Sequence, residues 1–103
     1  MKMDNMLAMK INILSFKTPY EVSIELADRV RIKRKYMKLT QQQLAEKSGV
    51  SLGSLKRFER IGEISLMSLL KIALVLDSLR EFDSLFVKSE YSSIEEILNE
   101  KRR

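Results

Sequence analysis

The sequence contains no cysteine and no histidine among its 103 residues. Without these residue types the chain cannot build thiolate or imidazole metal sites, and it cannot pair a cysteine or serine nucleophile with a histidine base. Carboxylates remain, but acidic residues such as Glu95, Glu96 and Glu100 follow a pattern typical of solvated helix faces. We therefore expect no catalytic activity and no metal or other cofactor.

Long apolar runs are also missing from the chain. No stretch of about 18 consecutive apolar residues occurs, so the sequence predicts no transmembrane helix. The first ten residues, MKMDNMLAMK, lack the continuous apolar stretch and the small-residue cleavage site of a signal peptide. We expect a cytoplasmic protein, associated with the nucleoid if it binds DNA.

Basic side chains are concentrated in one part of the chain. Residues 29–60 hold ten basic and two acidic side chains, a net charge of +8, whereas the remainder holds nine basic and twelve acidic ones, a net charge of −3. A segregated basic region is typical of proteins that bind polyanions, because each neutralised phosphate releases condensed counterions. Basic patches also occur on proteins that bind no nucleic acid, so charge alone leaves both interpretations open.

Residues that can cap a helix N-terminus indicate where the helices begin. The capping-box pattern, a hydroxyl residue followed three positions later by Glu or Gln, occurs at Thr18, Thr40, Ser78 and Ser92. Two further serines are simple N-cap candidates, Ser51 and Ser65. These signals predict helices at about 19–36, 41–48, 52–59, 66–76, 79–86 and 93–102. We expect one all-α domain of five to six helices.

Short segments flank this helical region. The run MKINILSF, which contains the candidate strand Ile11 to Phe16, is rich in apolar and β-branched residues and predicts a short strand. A lone strand leaves backbone groups unpaired, so it could pair with another chain; the alternative is an arm that lays Ile13 and Phe16 on the helices. Residues 87–103 are predicted to form a linker, a short helix and a basic tail.

The run QQQLAEKSGVSLGSLKRFER, residues 41–60, has the spacing of a helix-turn-helix. Two short helices that cross steeply need a small contact residue, here Ala45, and a turn residue that tolerates positive φ, here Gly49. The positions expected to face inward are apolar: Leu44, Val50, Leu55 and Phe58. From Leu26 to about Leu76 the chain resembles the Cro/C1 (XRE) family, with Ser48 standing where an apolar residue is usual. The resemblance implies a lambda-repressor-like domain, which we expect to span 18–86.

In such a motif the second helix enters the major groove of double-stranded DNA. The residues expected to face the DNA are Ser51, Leu52, Gly53, Ser54, Lys56, Arg57 and Arg60. Arg57 is the leading candidate for reading a base, because a guanidinium can bond O6 and N7 of guanine together. The alternative is that Arg57 contacts a phosphate.

The other candidate residues have more general tasks. Leu52 can contact a thymine methyl group, and Gly53 allows the backbone to approach the DNA closely. Gln41 matches the glutamine with which the family holds a phosphate beside the recognition helix. Lys33 and Lys38 are expected to contact phosphates without reading sequence.

Arg34 lies on the apolar stripe of the first predicted helix, in register with Leu26, Val30 and Met37. A buried guanidinium requires a partner. The family resemblance implies an internal ion pair between Arg34 and Glu59, which would link the first helix to the recognition helix. The alternative is that Arg34 extends to solvent or phosphate.

A narrower resemblance covers nearly the whole chain. The runs SFKTPYEVSIELADRVR, SGVSLGSLKRFERIGEISLMSLLKIALVL and EFDSLF are similar to a HipB-like subgroup of XRE regulators that are paired with HipA-like serine/threonine kinase toxins. The resemblance implies an antitoxin that represses its own operon together with the kinase. Because one recognition helix reads few base pairs, we expect a homodimer on an inverted-repeat operator. Two alternatives remain: a module that chiefly restrains the toxin, and a phage-type or restriction-type regulator without a toxin.

Overall fold

The computed structural model of the chain describes residues 17–87 and 98–100. Within these ranges every regular element is helical, which confirms the predicted all-α class. The elements are α1 (Pro19–Tyr36), α2 (Gln41–Ser48), α3 (Leu52–Ile61), α4 (Leu66–Val75) and a 3₁₀ helix (Leu79–Ser84). The predicted strand at Ile11 to Phe16 lies outside the described residues, as does the predicted helix at 93–102 except for the helical residues 98–100. In the part of the chain that the structure describes, no helix has both the length and the hydropathy needed to cross a bilayer.

The N-termini of the four α-helices are capped as the sequence predicts. Thr18 and Glu21 form a reciprocal capping box on α1, and Thr40 and Gln43 form a second one on α2. The remaining two helices have serine caps: the Ser51 hydroxyl accepts from the Ser54 N–H, and Ser65 caps α4 in the same way. Because these caps satisfy N–H groups that lack partners in the first turn, they fix the helix starts independently of tertiary contacts.

Ser78 does not cap a helix, and the α-helix predicted at 79–86 is a six-residue 3₁₀ helix instead. The Ser78 N–H bonds the Ala73 carbonyl, the Asp77 N–H bonds the Leu74 carbonyl, and Asp77 has φ +58°. This is a Schellman motif, which closes the C-terminus of α4. Ser78 therefore belongs to the end of one helix, and its φ of −126° and ψ of 6° do not suit an N-cap.

The apolar residues of the helix-turn-helix form half of the buried apolar core of the described residues. Leu44, Ala45, Val50 and Leu55 pack with Ile72 and Leu76 of α4 and its C-cap in one cluster. Phe58 packs with Ala27 of α1 and with Leu69 in a second cluster. The four motif residues predicted to point inward are buried, as is Ala45, the predicted small contact residue. The core thus fixes α3 between α1, α2 and α4.

Met37, from the apolar stripe predicted on the first helix, and Ser48, from the turn of the motif, have surroundings that the sequence did not indicate. Met37 is 38 % exposed, because α1 ends before it and Lys38 turns the chain with φ +61°. Leu39 packs against the larger core cluster in its place. Ser48, where an apolar residue is usual, uses its hydroxyl inside the turn: it donates to the Ala45 carbonyl and accepts from the Val50 N–H.

The glycines that end α2 and α3 differ in their surroundings, which gives a test of the packing. Gly49 and Gly62 both have φ +76°, but a Cβ at Gly49 would meet nothing within 4 Å, whereas one at Gly62 would lie 2.8 Å from the Ser23 Oγ and 3.0 Å from its carbonyl carbon. Gly49→Ala is expected to cost about 1–2 kcal/mol from the left-handed backbone alone. Gly62→Ala adds the collision with α1 and should cost clearly more. Urea unfolding of the two variants measures the difference, and equal losses would contradict the close approach of α3 to α1.

Candidate nucleic-acid interface

The helix α3 has one buried face and one exposed face. Leu55 and Phe58 lie in the core, while the residues predicted to face DNA lie on the other side. Of these, Ser51, Gly53, Ser54, Lys56, Arg57 and Arg60 are exposed. Leu52 is half-buried and packs partly against the larger core cluster, which leaves it less surface for a thymine methyl group than the sequence indicated. The exposed face is polar and carries three basic side chains.

The first turn of α3 is small and open. The Ser51 hydroxyl donates to the Ser54 hydroxyl at 2.9 Å and accepts from the Ser54 N–H at 3.1 Å. The Ser54 hydroxyl hydrogen is thereby left to donate to a base or a phosphate. A Cβ at Gly53 would meet no atom within 4 Å, so packing within the described domain does not require a glycine at this position. This flat start of α3 allows an approaching surface to come close to the backbone.

Arg57 and Glu63 form an ion pair at the other end of this face. The Arg57 Nη2 donates to the Glu63 Oε1 at 2.6 Å, and the two side chains are 56 % and 64 % exposed. Sequence reasoning did not identify Glu63, because the residue lies beyond the end of α3. Its approach depends on the turn at Gly62, whose N–H bonds the Phe58 carbonyl. No local pattern in the sequence indicates this contact.

A buried hydrogen-bond network lies behind the exposed face. Arg34 donates to both carboxylate oxygens of Glu59, from Nε at 2.7 Å and from Nη2 at 2.9 Å, and its Nη1 donates to the Leu39 carbonyl at 2.9 Å. The Arg34 and Glu59 side chains are 8 % and 3 % exposed. The expected contact between these residues is therefore present, and Arg34 does not extend to solvent.

Gln41 belongs to the same network. Its Nε2 donates to the Glu59 Oε1 at 2.9 Å, a contact that the sequence did not suggest. Among the described residues, no buried side-chain nitrogen or oxygen lacks a hydrogen-bond partner. Since Gln41 is the first residue of α2, its backbone N–H has no partner within the helix and remains available to a phosphate.

The two lysines expected to contact phosphates occupy different places. Lys38 is exposed in the turn between α1 and α2, close in sequence to Gln41. Lys33 lines a cavity of about 530 Å³ bounded by α1, α4 and the 3₁₀ helix. No residue of α3 lines this cavity. The structure therefore does not group Lys33 with the exposed face of α3, whereas Lys38, in the turn that leads to α2, stays a predicted phosphate contact.

A small helical domain with a tightly turned helix pair and an exposed basic second helix defines a helix-turn-helix DNA-binding protein. The family model described as helix-turn-helix matches residues 30–82, just over half of the chain. The chain belongs to this family, whose type is Cro/C1 (XRE), and it is a DNA-binding transcription regulator. Comparison with curated proteins gives no match.

Proposed function

We propose that the chain is a dimeric transcriptional repressor that binds an inverted-repeat operator. The observation that carries this proposal is the exposed face of α3, held in place by a buried network that joins it to α1 and α2. In this assignment α3 lies in the major groove and Arg57 bonds a guanine. Lys56, Arg60 and Ser54 contact bases or phosphates, and the N-terminus of α2 with Lys38 contacts the backbone.

Two copies are required for specificity. A single α3 reads only a few base pairs, too few to select one operator among the competing sites of a genome. Two-fold symmetry then calls for half-sites about one helical turn, or roughly 34 Å, apart. The apolar surface that supports a dimer follows the 3₁₀ helix: Leu85 and Val87 are exposed, and Phe86 is 92 % exposed with φ +67°. Phe82 is half-buried against the second core cluster, which leaves less of its ring for an interface.

Phe86→Ser is expected to dissociate the dimer and to remove the advantage of an inverted repeat over a single half-site. The reason is that this ring is the most exposed large apolar side chain of the described residues. Tyr20→Ser is the matched control, since Tyr20 is also an exposed aromatic residue but lies at the start of α1. Sedimentation at micromolar concentration and titrations with one and two half-sites measure both effects. A wild-type monomer that binds one half-site as tightly as the repeat contradicts the dimer.

The resemblance to HipB-like regulators extends the proposal to a toxin-antitoxin operon. In this extension the chain acts in the cytoplasm, binds a HipA-like kinase and represses the operon together with it. The identity of the next gene tests the extension: a kinase reading frame supports it, and its absence favours a phage-type regulator. If the kinase is present, neutralisation by a Lys56→Ala, Arg57→Ala double variant separates the two remaining roles. Full neutralisation without DNA binding would make restraint of the toxin the main activity.

A further inference from the structure

The ion pair between Arg57 and Glu63 places a carboxylate on a surface that is otherwise suited to a polyanion. Among the ion pairs of residues 17–87, it is the one that involves the exposed face of α3. Both partners are more than half exposed, so the pair contributes little to the stability of the fold. A carboxylate in this position is repelled by phosphates. Its contact with Arg57 therefore bears on how this arginine would meet DNA.

The backbone that leads into Glu63 is packed against α1. Gly62 ends α3 in the left-handed conformation and lies so close to α1 that a Cβ would come within 2.8 Å of the Ser23 Oγ. The turn is thus packed against α1 and returns the chain beside the last turns of α3. The Glu63 carboxylate thus reaches Arg57 from the residue that follows this packed turn.

The geometry leaves the guanidinium able to bind a base. Only Nη2 of Arg57 contacts Glu63, through one carboxylate oxygen. A guanidinium has five N–H donors in one plane, so four remain, and adjacent pairs of them fit the O6 and N7 of a guanine. A free arginine on the same face would bind any phosphate within reach, because phosphates attract it without regard to sequence.

We propose that Glu63 is a specificity-determining residue that orients the Arg57 guanidinium toward a base edge and lowers its affinity for phosphates. This inference rests on the proposed function, since it assumes that α3 reads an operator. Glu63 is a positioning residue: it acts through Arg57, and its effect appears in the ratio of specific to nonspecific binding.

The test uses the full chain and three duplexes of equal length. The first duplex is selected from a randomised pool by the wild-type protein. The second differs from the first at the one base pair where the Arg57→Ala variant loses the protein's sequence preference. The third has an unrelated sequence. Glu63→Gln keeps the shape of the side chain and removes its charge. It is expected to bind the unrelated duplex severalfold more tightly, to lower discrimination between the first two duplexes about tenfold, and to steepen the salt dependence by about one phosphate contact.

Glu46→Gln is the matched control, because Glu46 is an exposed carboxylate of α2 that bonds Gln42 rather than a basic residue. It should change nonspecific binding through net charge and leave discrimination unaltered. In an Arg57→Ala background, Glu63→Gln should no longer alter discrimination. If Glu63→Gln raises binding to all three duplexes by one factor, as Glu46→Gln does, Glu63 is merely a surface charge and the inference is wrong. If the wild-type protein selects no sequence from the pool, the proposed function itself fails, and the inference with it.

Discussion

Glu59→Ala is expected to lower the free energy of unfolding by about 3–5 kcal/mol, which is the cost typical of removing one partner of a buried ion pair. The Glu59 side chain is 3 % exposed, and its carboxylate accepts three hydrogen bonds, two from Arg34 and one from Gln41. After the substitution the Arg34 guanidinium remains buried, with the Leu39 carbonyl as its surviving partner. Urea unfolding monitored by circular dichroism measures the loss.

The chain offers a matched control for this prediction. Glu63→Ala also removes an Arg–Glu pair, but one that is exposed on both sides, so the expected cost is at most about 1 kcal/mol. The difference between the two variants in the free energy of unfolding separates the effect of burying an ion pair from the effect of forming one. Similar losses for both would mean that the Arg34 guanidinium reaches water once Glu59 is gone, and that the network does not depend on its burial.

Arg57→Ala is expected to weaken operator binding by about 1–3 kcal/mol, or roughly 5- to 150-fold in Kd, and to relax the preference at one base pair. The physical reason is the loss of a bidentate contact to a guanine. The substitution also leaves the Glu63 carboxylate without its partner on the DNA-facing side, which adds repulsion from phosphates to the loss. Titrations against an operator randomised at each position, at two salt concentrations, measure affinity and preference together.

Lys38→Ala separates sequence reading from phosphate contact. An exposed lysine in the turn before α2 should contribute equally to every duplex, so its removal weakens binding uniformly and flattens the salt dependence by about one. An Arg57→Ala variant that behaves in the same way would reassign Arg57 to a phosphate. In that case the base contacts of α3 would have to come from its other exposed side chains, Ser54, Lys56 or Arg60.

The parts of the fold that were predicted from sequence depend on local signals. Four N-caps fixed the starts of the α-helices, because a cap hydrogen-bonds within three residues of itself. The inward positions of the motif followed from helical spacing. The position of Arg34 on an apolar stripe indicated burial, and the family resemblance supplied Glu59 as its partner.

The features of the structure that the sequence did not predict depend on the turns between consecutive helices. Ser78 and Glu81 match the capping-box pattern. The Ser78 N–H nevertheless bonds the Ala73 carbonyl and so closes the C-terminus of α4, because Asp77 adopts a left-handed conformation. Met37 keeps the helical register but lies past the end of its helix. Gln41 and Glu63 make contacts across turns, with Glu59 and Arg57, and the spacing of residues along one helix carries no information about them. Of the seven residues predicted to face the DNA, six are exposed and Leu52 is half-buried against the core, while the base contacts of α3 stay a prediction.

The network centred on Glu59 has a consequence for how the protein meets DNA. Donors from α1 and α2 converge on a carboxylate of α3, so none of the three helices can separate without exposing a buried charge. The proposed recognition surface is consequently preorganised, and we expect its backbone to lose little conformational entropy on binding DNA. Differences in affinity between operators are then expected to arise at the contact surface and in the deformation of the DNA, with no folding step needed in residues 17–87.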